Sequence, residues 1–242
     1  LQMTNKKGIT ILGAGNGTDP TSNTILSFAK ALTQNGLDTS GLDTVTFKKF
    51  AVEDASGNGI FVNLSKNIVM DTLRAEWTIN PFGTSRMAYG LYPVSSDNIK
   101  IVNSKVVGTR DAGVYVGQST NILVANNEVA NNVAGVEIEN SHNAIVENNL
   151  VHDNTGGILV FALKAPPRFK DTKDILVRNN TIVDNNTPPF ANATGLVLTI
   201  PPGTGVMVLA SQNVEVTGNT ISRHKTTGVL LISAFAAGEQ DT

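Results

Sequence analysis

The sequence predicts an all-β fold, a right-handed parallel β-helix in which a single chain coils through three short strands per turn for about 8 to 10 turns. Two observations predict this fold. An asparagine or aspartate that precedes alternating aliphatic residues recurs at intervals of 22 to 39 residues, and within each repeat a glycine precedes a further alternating segment. A bare repeat of about 22 residues has room for three short strands and none for a helix.

The three strands of a repeat follow one another in a fixed order. Apolar residues alternate directly after each restart, as at Ile99 and Ile101, which is the pattern of a half-buried first strand. A shorter second strand contributes one aliphatic residue, such as Val106, and the strand after the glycine contributes two, such as Val114 and Val116. The restarts from which this order is counted are Asn67, Asn98, Asn121, Asn143, Asp174 and Asn213.

Asparagines mark the bend between the first and second strands. They stand five and six residues after a restart, as Asn126 with Asn127 and Asn148 with Asn149. Asparagine tolerates left-handed backbone, and its amide can bond to the identical amide one turn along. We therefore predict structural asparagine ladders here and no glycosylation or catalytic sites.

The repeats indicate one domain over residues 1–242, with the core repeats at about 41–232. Polar terminal caps, which a solenoid needs, are not visible in the sequence, so we expect a chain trimmed at both ends. Two structures remain open for residues 23–34: an amphipathic helix or an irregular first turn.

Composition excludes several classes of protein. A net charge of -2 and a pI near 5.9 argue against a nucleic-acid or membrane-surface protein. The chain has no cysteine, so neither a disulfide framework nor a thiolate metal site can form. The histidines lack metal-ligand spacing, and no run of about twenty apolar residues could span a membrane. We expect no metal and no cofactor.

Longer phrases carry a resemblance over roughly residues 41–232. They are AEWT from Ala75, AYGLYPV from Ala88, DAGVYVGQS from Asp111, NVAGVEIENS from Asn132, NTGGILVF from Asn154 and GTGVMVLA from Gly203. In this order they resemble an exported bacterial family of parallel β-helix repeat-containing proteins, within the wider pectin-lyase-like superfamily. That family usually has an acidic residue after the GGILVF phrase, whereas this chain has Ala162.

The resemblance implies a location and a partner rather than an activity, because the family has no assigned activity. Its members carry lipoprotein or ordinary signal peptides, which implies a periplasmic, lipid-anchored or secreted protein. Their genes often lie beside one for a second exported protein, so the resemblance also implies a possible protein partner.

On the third strand, the residues between the buried aliphatics should point outward. They are Phe61 and Asn63, Tyr92 and Val94, Tyr115 and Gly117, Glu137 and Glu139, Leu159 and Phe161, and Met207 and Leu209. Three insertions, at 76–88, 162–173 and 187–204, surround this apolar face, which needs either a cover or a ligand. About four turns at roughly 4.8 Å each predict a trough on the order of 19 Å long, enough for a few sugar residues.

The candidate catalytic residues lie in this trough. Arg110 and Asp111 stand at the bend before one third strand, Tyr115 lies on that strand, and Glu137 and Glu139 lie on the next. Side-chain origins two residues apart on a strand are about 6.5 to 7 Å apart, which suits glycoside hydrolysis. The alternative for the Glu pair is a solvated strand face, and for Arg110 and Asp111 a surface ion pair.

Substrate-binding candidates surround these carboxylates. Trp77, Tyr92 and Phe161 could stack on sugar rings, although Trp77 and Tyr92 could equally pack under the 76–88 insertion. Elimination or epimerisation of a uronic acid needs a cation that neutralises the sugar carboxylate, with a base and an acid at its C5 proton, and Arg110, Lys164, Arg168 and Tyr115 could supply these. The alternative for Lys164 and Arg168 is solvated loop charges.

Two functional hypotheses follow from the sequence. In the first, the third-strand face binds or processes a polysaccharide, as a lyase, epimerase or glycoside hydrolase if it is catalytic. In the second, the protein is a non-catalytic scaffold of the cell envelope whose apolar strip docks another protein. A trough closed by the insertions over Tyr115 and Phe161 would argue against the enzyme at this face.

Overall fold

The computed structural model describes residues 1–31, 34–79, 87–164, 168–190, 199–233 and 235. Within these ranges the backbone forms 23 strands and no α-helix. Consequently, the described residues include no helix of the length and apolarity needed to cross a membrane.

The strands form three faces that wind around one long core. The third strands of the turns form a nine-stranded sheet of their own, which we call the third sheet. It contains β1 (Gln2–Thr4), β4 (Leu37–Ser40), β6 (Ile60–Asn63), β8 (Leu91–Val94), β11 (Ala112–Gly117), β14 (Ala134–Glu139), β17 (Gly156–Phe161), β20 (Thr204–Leu209) and β23 (Thr227–Ile232). The first face contains β2 (Lys7–Leu12), β9 (Asp97–Val102), β12 (Thr120–Ala125), β15 (His142–Glu147), β18 (Thr172–Arg178) and β21 (Ser211–Thr217). The second face contains β3 (Ile25–Ser27), β10 (Lys105–Val107), β13 (Glu128–Ala130), β16 (Leu150–His152), β19 (Thr181–Val183) and β22 (Thr220–Ser222). Two longer strands, β5 (Asp43–Glu53) and β7 (Lys66–Glu76), bend from the first face into the second.

Every strand pairs in parallel with its equivalent one turn away. In β9, β12 and β15, for example, Ile99 is the partner of Ile122, which is the partner of Ala144. Eight turns of three strands follow β1, so the predicted parallel coil and its length are confirmed.

Regular coiling begins earlier than the repeat at residue 41. Strands β1 and β2 pair with β4 and β5. Residues 25–27 form β3, which extends the second face. The region 23–34 is therefore the irregular first turn, because its apolar residues complete a coil instead of forming a separate amphipathic helix; residues 32 and 33 lie outside the described residues.

Small aliphatic side chains fill the interior. Ile101, Val124 and Val146 stack in successive turns and are fully buried. Each turn alone could not bury these side chains, so stacking of equivalent residues provides the hydrophobic stabilisation of the coil.

The predicted asparagine ladder is present at the first bend. Asn126 and Asn148 have left-handed backbone with φ of 58° and 55°. The following residues are buried, and Nδ2 of Asn127 donates to Oδ1 of Asn149 at 2.9 Å. Asn149 donates in turn to Asn180, also at 2.9 Å.

Similar ladders occupy the other two bends, which the sequence analysis did not identify. At the second bend Asn132 Nδ2 donates to Asn154 Oδ1 at 3.0 Å, and Asn154 donates to Asn185 at 2.8 Å. At the third bend the backbone N–H of Ser96 donates to the hydroxyl of Ser119 at 3.1 Å. The buried polar groups of the bends are thus hydrogen-bonded from turn to turn.

The three insertions lie where the sequence places them. They separate β7 from β8, β17 from β18, and β19 from β20. The first and third enter the third sheet at the amino ends of its strands, whereas the second leaves it at the carboxyl end. The insertions therefore flank the outer face of the third sheet on both sides.

Candidate functional site

The outer face of the third sheet is covered rather than open. Its outward side chains form a second apolar cluster, which we call the outer cluster: Ala112, Tyr115, Val133, Ala134, Leu159, Phe161, Ile200, Met207 and Leu209. Tyr115 is 7% exposed and Phe161 is 2% exposed. The predicted open trough is therefore wrong for the turns from Tyr115 to Leu209.

Side chains of the second and third insertions, together with Tyr89 directly after the first, provide the cover. Ile200 is buried against the amino end of β17, where a Cβ on Gly156 would lie 3.0 Å from its Cγ2. Tyr89, Leu163 and Phe190 are half-buried and pack against the same cluster. The apolar strip on the sheet thus has its cover within the chain itself.

The segment after β17 is fixed to the coil by two amide side chains. We call residues 162–164 and 168–171 the strap. The side-chain amide of Asn140 accepts from the N–H of Leu163 at 2.9 Å and donates to its carbonyl at 3.0 Å. Gln118 does the same further along, accepting from Arg168 N and Phe169 N and donating to Phe169 O. The strap therefore runs beside the carboxyl ends of β11 and β14, next to Gly117 and Glu139.

Charged residues of the strap contact the first face of the coil. The Arg168 guanidinium binds both carboxylate oxygens of Asp97, at 2.8 and 3.1 Å. His142 Nε2 lies 2.7 Å from Asp171 Oδ1. Lys164 is exposed. The structure therefore places the predicted substrate cations Lys164 and Arg168 on the strap, with Arg168 committed to an ion pair.

Three carboxyl groups meet beneath the cover. Glu137 and Glu139 lie on the outer side of β14, and Asp111 directly precedes the neighbouring strand β11. Asp111 is 9% exposed and Glu137 is 2% exposed. Tyr115 donates its hydroxyl to Glu139 Oε2 at 2.7 Å, whereas Oε1 of Glu137 is buried and has no hydrogen-bond partner among the residues that the structure describes.

Burial shifts the protonation equilibria of this group. Desolvation raises the pKa of Asp111 to about 7, although a hydrogen bond from Tyr89 and the Arg110 charge oppose the shift. Desolvation, reinforced by the charges of Asp111 and Glu139, raises the pKa of Glu137 well above its ordinary value. Desolvation also raises the pKa of Glu139, against the hydrogen bond from Tyr115. Glu137 and Glu139 thus lie on one strand but differ in their surroundings, because a hydrogen bond opposes the desolvation of Glu139 while neighbouring charges reinforce that of Glu137.

Aromatic rings extend the site along the third sheet. The rings of Tyr89, Tyr92 and Tyr115 contact one another with centroids 4.5 to 4.9 Å apart, and Phe61 lies 5.0 Å from Tyr92. Gly117 makes the arrangement possible, because a Cβ there would lie 2.3 Å from the Tyr115 hydroxyl oxygen. Phe61 and Tyr92 are only half-buried, so the aromatic row leads from the covered carboxyls toward solvent.

The structure brings together most of the residues that the sequence selected, but not Trp77, Lys164 or Arg168. Asp111, Tyr115, Glu137 and Glu139 form one group with Arg110 beside it. Trp77 packs against the interior core instead, away from the aromatic row. Sequence reasoning missed Tyr89, which the AYGLYPV phrase contains, and the two amide anchors Gln118 and Asn140.

The cluster has the composition of an acid–base site. A desolvated carboxyl that keeps its proton can donate it, while a neighbouring carboxylate held by a tyrosine can accept one or attack. Glu137 fits the first role and Glu139 the second. The described residues include no group of three or more acidic or histidine side chains placed to hold a metal ion.

A family model and several solved structures match the chain. The family model, described as a right-handed β-helix region, matches residues 7–165 and 77–237, in agreement with the predicted hand of the coil. The A-module of the Azotobacter vinelandii mannuronan C-5 epimerase AlgE4 aligns with a TM-score of 0.65 at 15% identity, over 95% of this chain and 66% of that chain.

Two further structures share the coil. The periplasmic alginate epimerase AlgG aligns with a TM-score of 0.53 at 15% identity, over 82% of this chain and 46% of that chain. The Dettilon tailspike protein aligns with a TM-score of 0.55 at 12% identity, over 98% of this chain and 51% of that chain. This chain thus spans 46% to 66% of the length of these three structures, and the likeness is one of fold. None of the curated proteins matches the chain.

Proposed function

Since this chain belongs to the right-handed β-helix family, we propose that it binds and processes a polysaccharide at the outer face of its third sheet. One observation carries the proposal: Glu137 is buried beside two further carboxyls, and one of its oxygens has no partner. Burying an unpaired carboxyl is costly, and such groups concentrate at catalytic and binding sites.

Each residue of the site has a role in this proposal. Glu137 is the proton donor, because desolvation raises its pKa well above the ordinary value. Glu139, held by the Tyr115 hydroxyl, is the base or nucleophile. Asp111 sustains the raised pKa of Glu137 through its charge. The half-buried rings of Phe61 and Tyr92 provide a stacking surface for sugar rings next to the carboxyls.

The burial of Tyr115 and Phe161 argues against an enzyme that works at an open face, so the proposal requires movement of the cover. A polysaccharide cannot reach Glu137 while Tyr115, Phe161 and Ile200 are packed in the outer cluster. The strap is the segment whose displacement would expose the carboxyl ends of β11 and β14, since side-chain amides, ion pairs and the packing of Leu163 hold it there. Closure over a bound substrate would exclude water from the acid–base pair.

Solved structures of the same fold support a polysaccharide substrate and an exported location for this chain. AlgE4 and AlgG are an epimerase of mannuronan and a periplasmic epimerase of alginate. A periplasmic, lipid-anchored or secreted location is proposed for this chain on that basis and on its sequence resemblance. A second exported protein as partner stays a prediction.

The alternative of a docking scaffold loses its motivating observation. It assumed that the apolar strip with Leu159, Phe161, Met207 and Leu209 faces solvent, whereas these side chains are 0 to 3% exposed. The chain itself therefore occupies the surface that a partner would need.

The test is a screen of the protein against a polysaccharide panel, with detection of reducing ends and of unsaturated products. We expect turnover of at least one glycan, and a loss of about 100-fold or more in kcat for Glu137→Gln, as for removal of a general acid. Asp111→Asn should change the pH profile of the reaction, because it removes a charge that raises the pKa of Glu137.

Glu215→Gln is the matched control, because it makes the same chemical substitution at an exposed residue of the first face. It should have no effect on turnover. Absence of turnover of every glycan, together with unaltered glycan binding in Glu137→Gln and Asp111→Asn, would refute the proposal.

A further inference from the structure

We propose that the sugar bound at the carboxyl cluster carries no anionic group: the site selects a neutral or amino sugar and rejects uronates and sulfated sugars. This inference rests on the proposed function and names the substrate class of the same site. It separates this chain from the fold relatives that act on mannuronan or alginate, whose sugars are uronates.

The charge of the site is the first argument. Asp111, Glu137 and Glu139 approach closely enough for the charge of each of the other two to raise the pKa of Glu137. Three tyrosines that cannot contribute positive charge, Tyr89, Tyr92 and Tyr115, complete the wall. A sugar carboxylate would enter as a further like charge in a desolvated site, where charges interact strongly.

The positions of the cations are the second argument. Arg110 acts on the pKa of Asp111, but among the described residues no cation contributes to the pKa of Glu137 or Glu139. Arg168 is bound to Asp97 on the far side of the strap, and Lys164 is exposed. Elimination and epimerisation require a cation that neutralises the uronate carboxylate beside its C5 proton. Among the described residues, no basic side chain takes this position at Glu137 or Glu139.

The unpartnered oxygen of Glu137 is the third argument. Among the described residues this oxygen has no partner, and it is buried within an aromatic-lined group, so a ligand that fits it must bring a hydrogen-bonding group. A sugar hydroxyl both donates and accepts, so it satisfies the oxygen whether or not Glu137 carries its proton, whereas an ionised carboxylate or sulfate only accepts. The group that contacts this oxygen is therefore a hydroxyl or an amino group, and the charge of the site disfavours an anionic group beside it.

A uronate could bind only together with a proton. Because its carboxylate would raise the pKa values of the three carboxyls further, uronate binding would be linked to proton uptake and would weaken as pH rises. A neutral sugar has no such linkage through its own charge. The two classes are therefore best separated on the alkaline side of the Asp111 pKa of about 7.

The experiment measures binding and turnover of hexasaccharides at pH 8 by calorimetry and product analysis. The set contains neutral glucose, xylose, mannose and galactose oligomers, a chitosan oligomer, and oligomannuronate and oligogalacturonate. We expect at least one neutral or amino oligosaccharide to bind tenfold or more tightly than either uronate. The chitosan result separates an amino donor from a hydroxyl donor.

Failure of this inference differs from failure of the proposed function. Preferred binding or turnover of a uronate would overturn the inference and leave polysaccharide processing intact. Absence of binding to every oligosaccharide would refute both.

A pair of variants tests the physical cause. The double substitution Asp111→Asn with Glu137→Gln removes two carboxyls, so affinity for oligomannuronate at pH 8 should increase threefold or more while affinity for the preferred neutral sugar does not increase. Glu215→Gln removes one exposed carboxyl from the first face and should leave both affinities unchanged. An unchanged uronate affinity in the double variant would contradict the electrostatic cause and, with it, the inference.

Discussion

The bends of the coil and the outer face of the third sheet both bury polar side chains, but they differ in how those groups are satisfied. At the bends, Asn127, Asn149 and Asn180 donate and accept from turn to turn. On the outer face, Glu137 is equally buried, yet one of its oxygens has no partner.

The difference separates a stabilising network from a functional one. A fully satisfied buried network rigidifies the fold, whereas a half-satisfied one lowers stability. The position of Glu137 is occupied by Leu159 and Met207 in the following two turns. An apolar side chain would therefore fit the architecture at position 137, and the carboxyl is explained by a ligand or a reaction better than by folding.

Breaking a ladder rung should have the largest effect. In Asn149→Ala, the Asn127 N–H and Nδ2 lose their common acceptor, and Val124 O and Asn180 Oδ1 lose a donor. Since each orphaned buried group costs about 1 to 3 kcal/mol, we expect the free energy of unfolding to fall by about 3 to 5 kcal/mol. Urea denaturation followed by circular dichroism measures it.

Asn98→Gly is the matched control for the ladder. Asn98 is exposed, has a φ of 54° that glycine adopts without strain, and donates one hydrogen bond, to Asn67. We expect a loss of under about 1 kcal/mol, since a hydrogen bond exposed to water contributes little net stability. Equal losses in the two variants would contradict the structural role assigned to the buried ladder.

Removing the carboxyl on the outer face should act in the opposite direction. Glu137→Leu places at position 137 the residue type found at the equivalent position of β17. At pH 8 we expect the free energy of unfolding to increase by roughly 1 to 3 kcal/mol, because the cost of a desolvated carboxyl is removed. This gain in stability should be accompanied by loss of the proposed activity.

The dependence of stability on pH tests whether the buried carboxyls destabilise the fold when they are ionised. The folded-state pKa of Asp111 is raised to about 7 and that of Glu137 is raised well above its ordinary value, so the folded protein binds protons more tightly than the unfolded chain. The stability that these groups contribute should therefore be fully present below about pH 4 and should be lost as pH rises from there through about 7. Thermal melts at pH 5, 6, 7 and 8 should show a weaker decrease in Glu137→Leu; an identical decrease in both proteins would contradict the assigned burial.

Most of the fold could be predicted from the sequence because stacking of equivalent residues imposes fixed spacings. The ladders at the second and third bends were not predicted, although their residues also follow fixed spacings in the sequence. Thr109, Asn132, Asn154 and Asn185 stand eleven residues after their restarts, and Ser96, Ser119 and Ser141 stand two residues before theirs.

The closure of the site could not be predicted in this way. Alternation shows that Glu137 points out of the coil, but whether outward means solvent depends on the path of the insertions, which repeat no spacing. Ile200 covers β17, and Leu163 pairs with Asn140 through contacts between residues 23 or more apart. Burial of Glu137 is therefore a property of the tertiary structure and not of the repeat.

Releasing the strap should have a smaller effect on global stability than either change above. Gln118→Gly removes the amide that holds Arg168 and Phe169 but keeps the left-handed backbone, since the φ of Gln118 is 53°. We expect a loss of about 1 kcal/mol and faster proteolysis within the strap, because local opening becomes easier. If the strap controls access, turnover of the preferred glycan should change in this variant while Glu137→Gln remains inactive; unchanged proteolysis and turnover would contradict that role.

The smallest effect is expected for Arg168→Ala. The guanidinium binds Asp97 at the surface, with side chains 33% and 44% exposed, and exposed ion pairs contribute about 0 to 1 kcal/mol. We expect a loss of unfolding free energy within that range that disappears in 1 M salt, because salt screens exposed charges. Affinity for the preferred glycan should be unchanged, since the ion pair directs Arg168 away from the carboxyl cluster. A drop in glycan affinity of tenfold or more, with stability unaffected, would place Arg168 in the binding site. The strap would then bind substrate instead of only closing the acidic site.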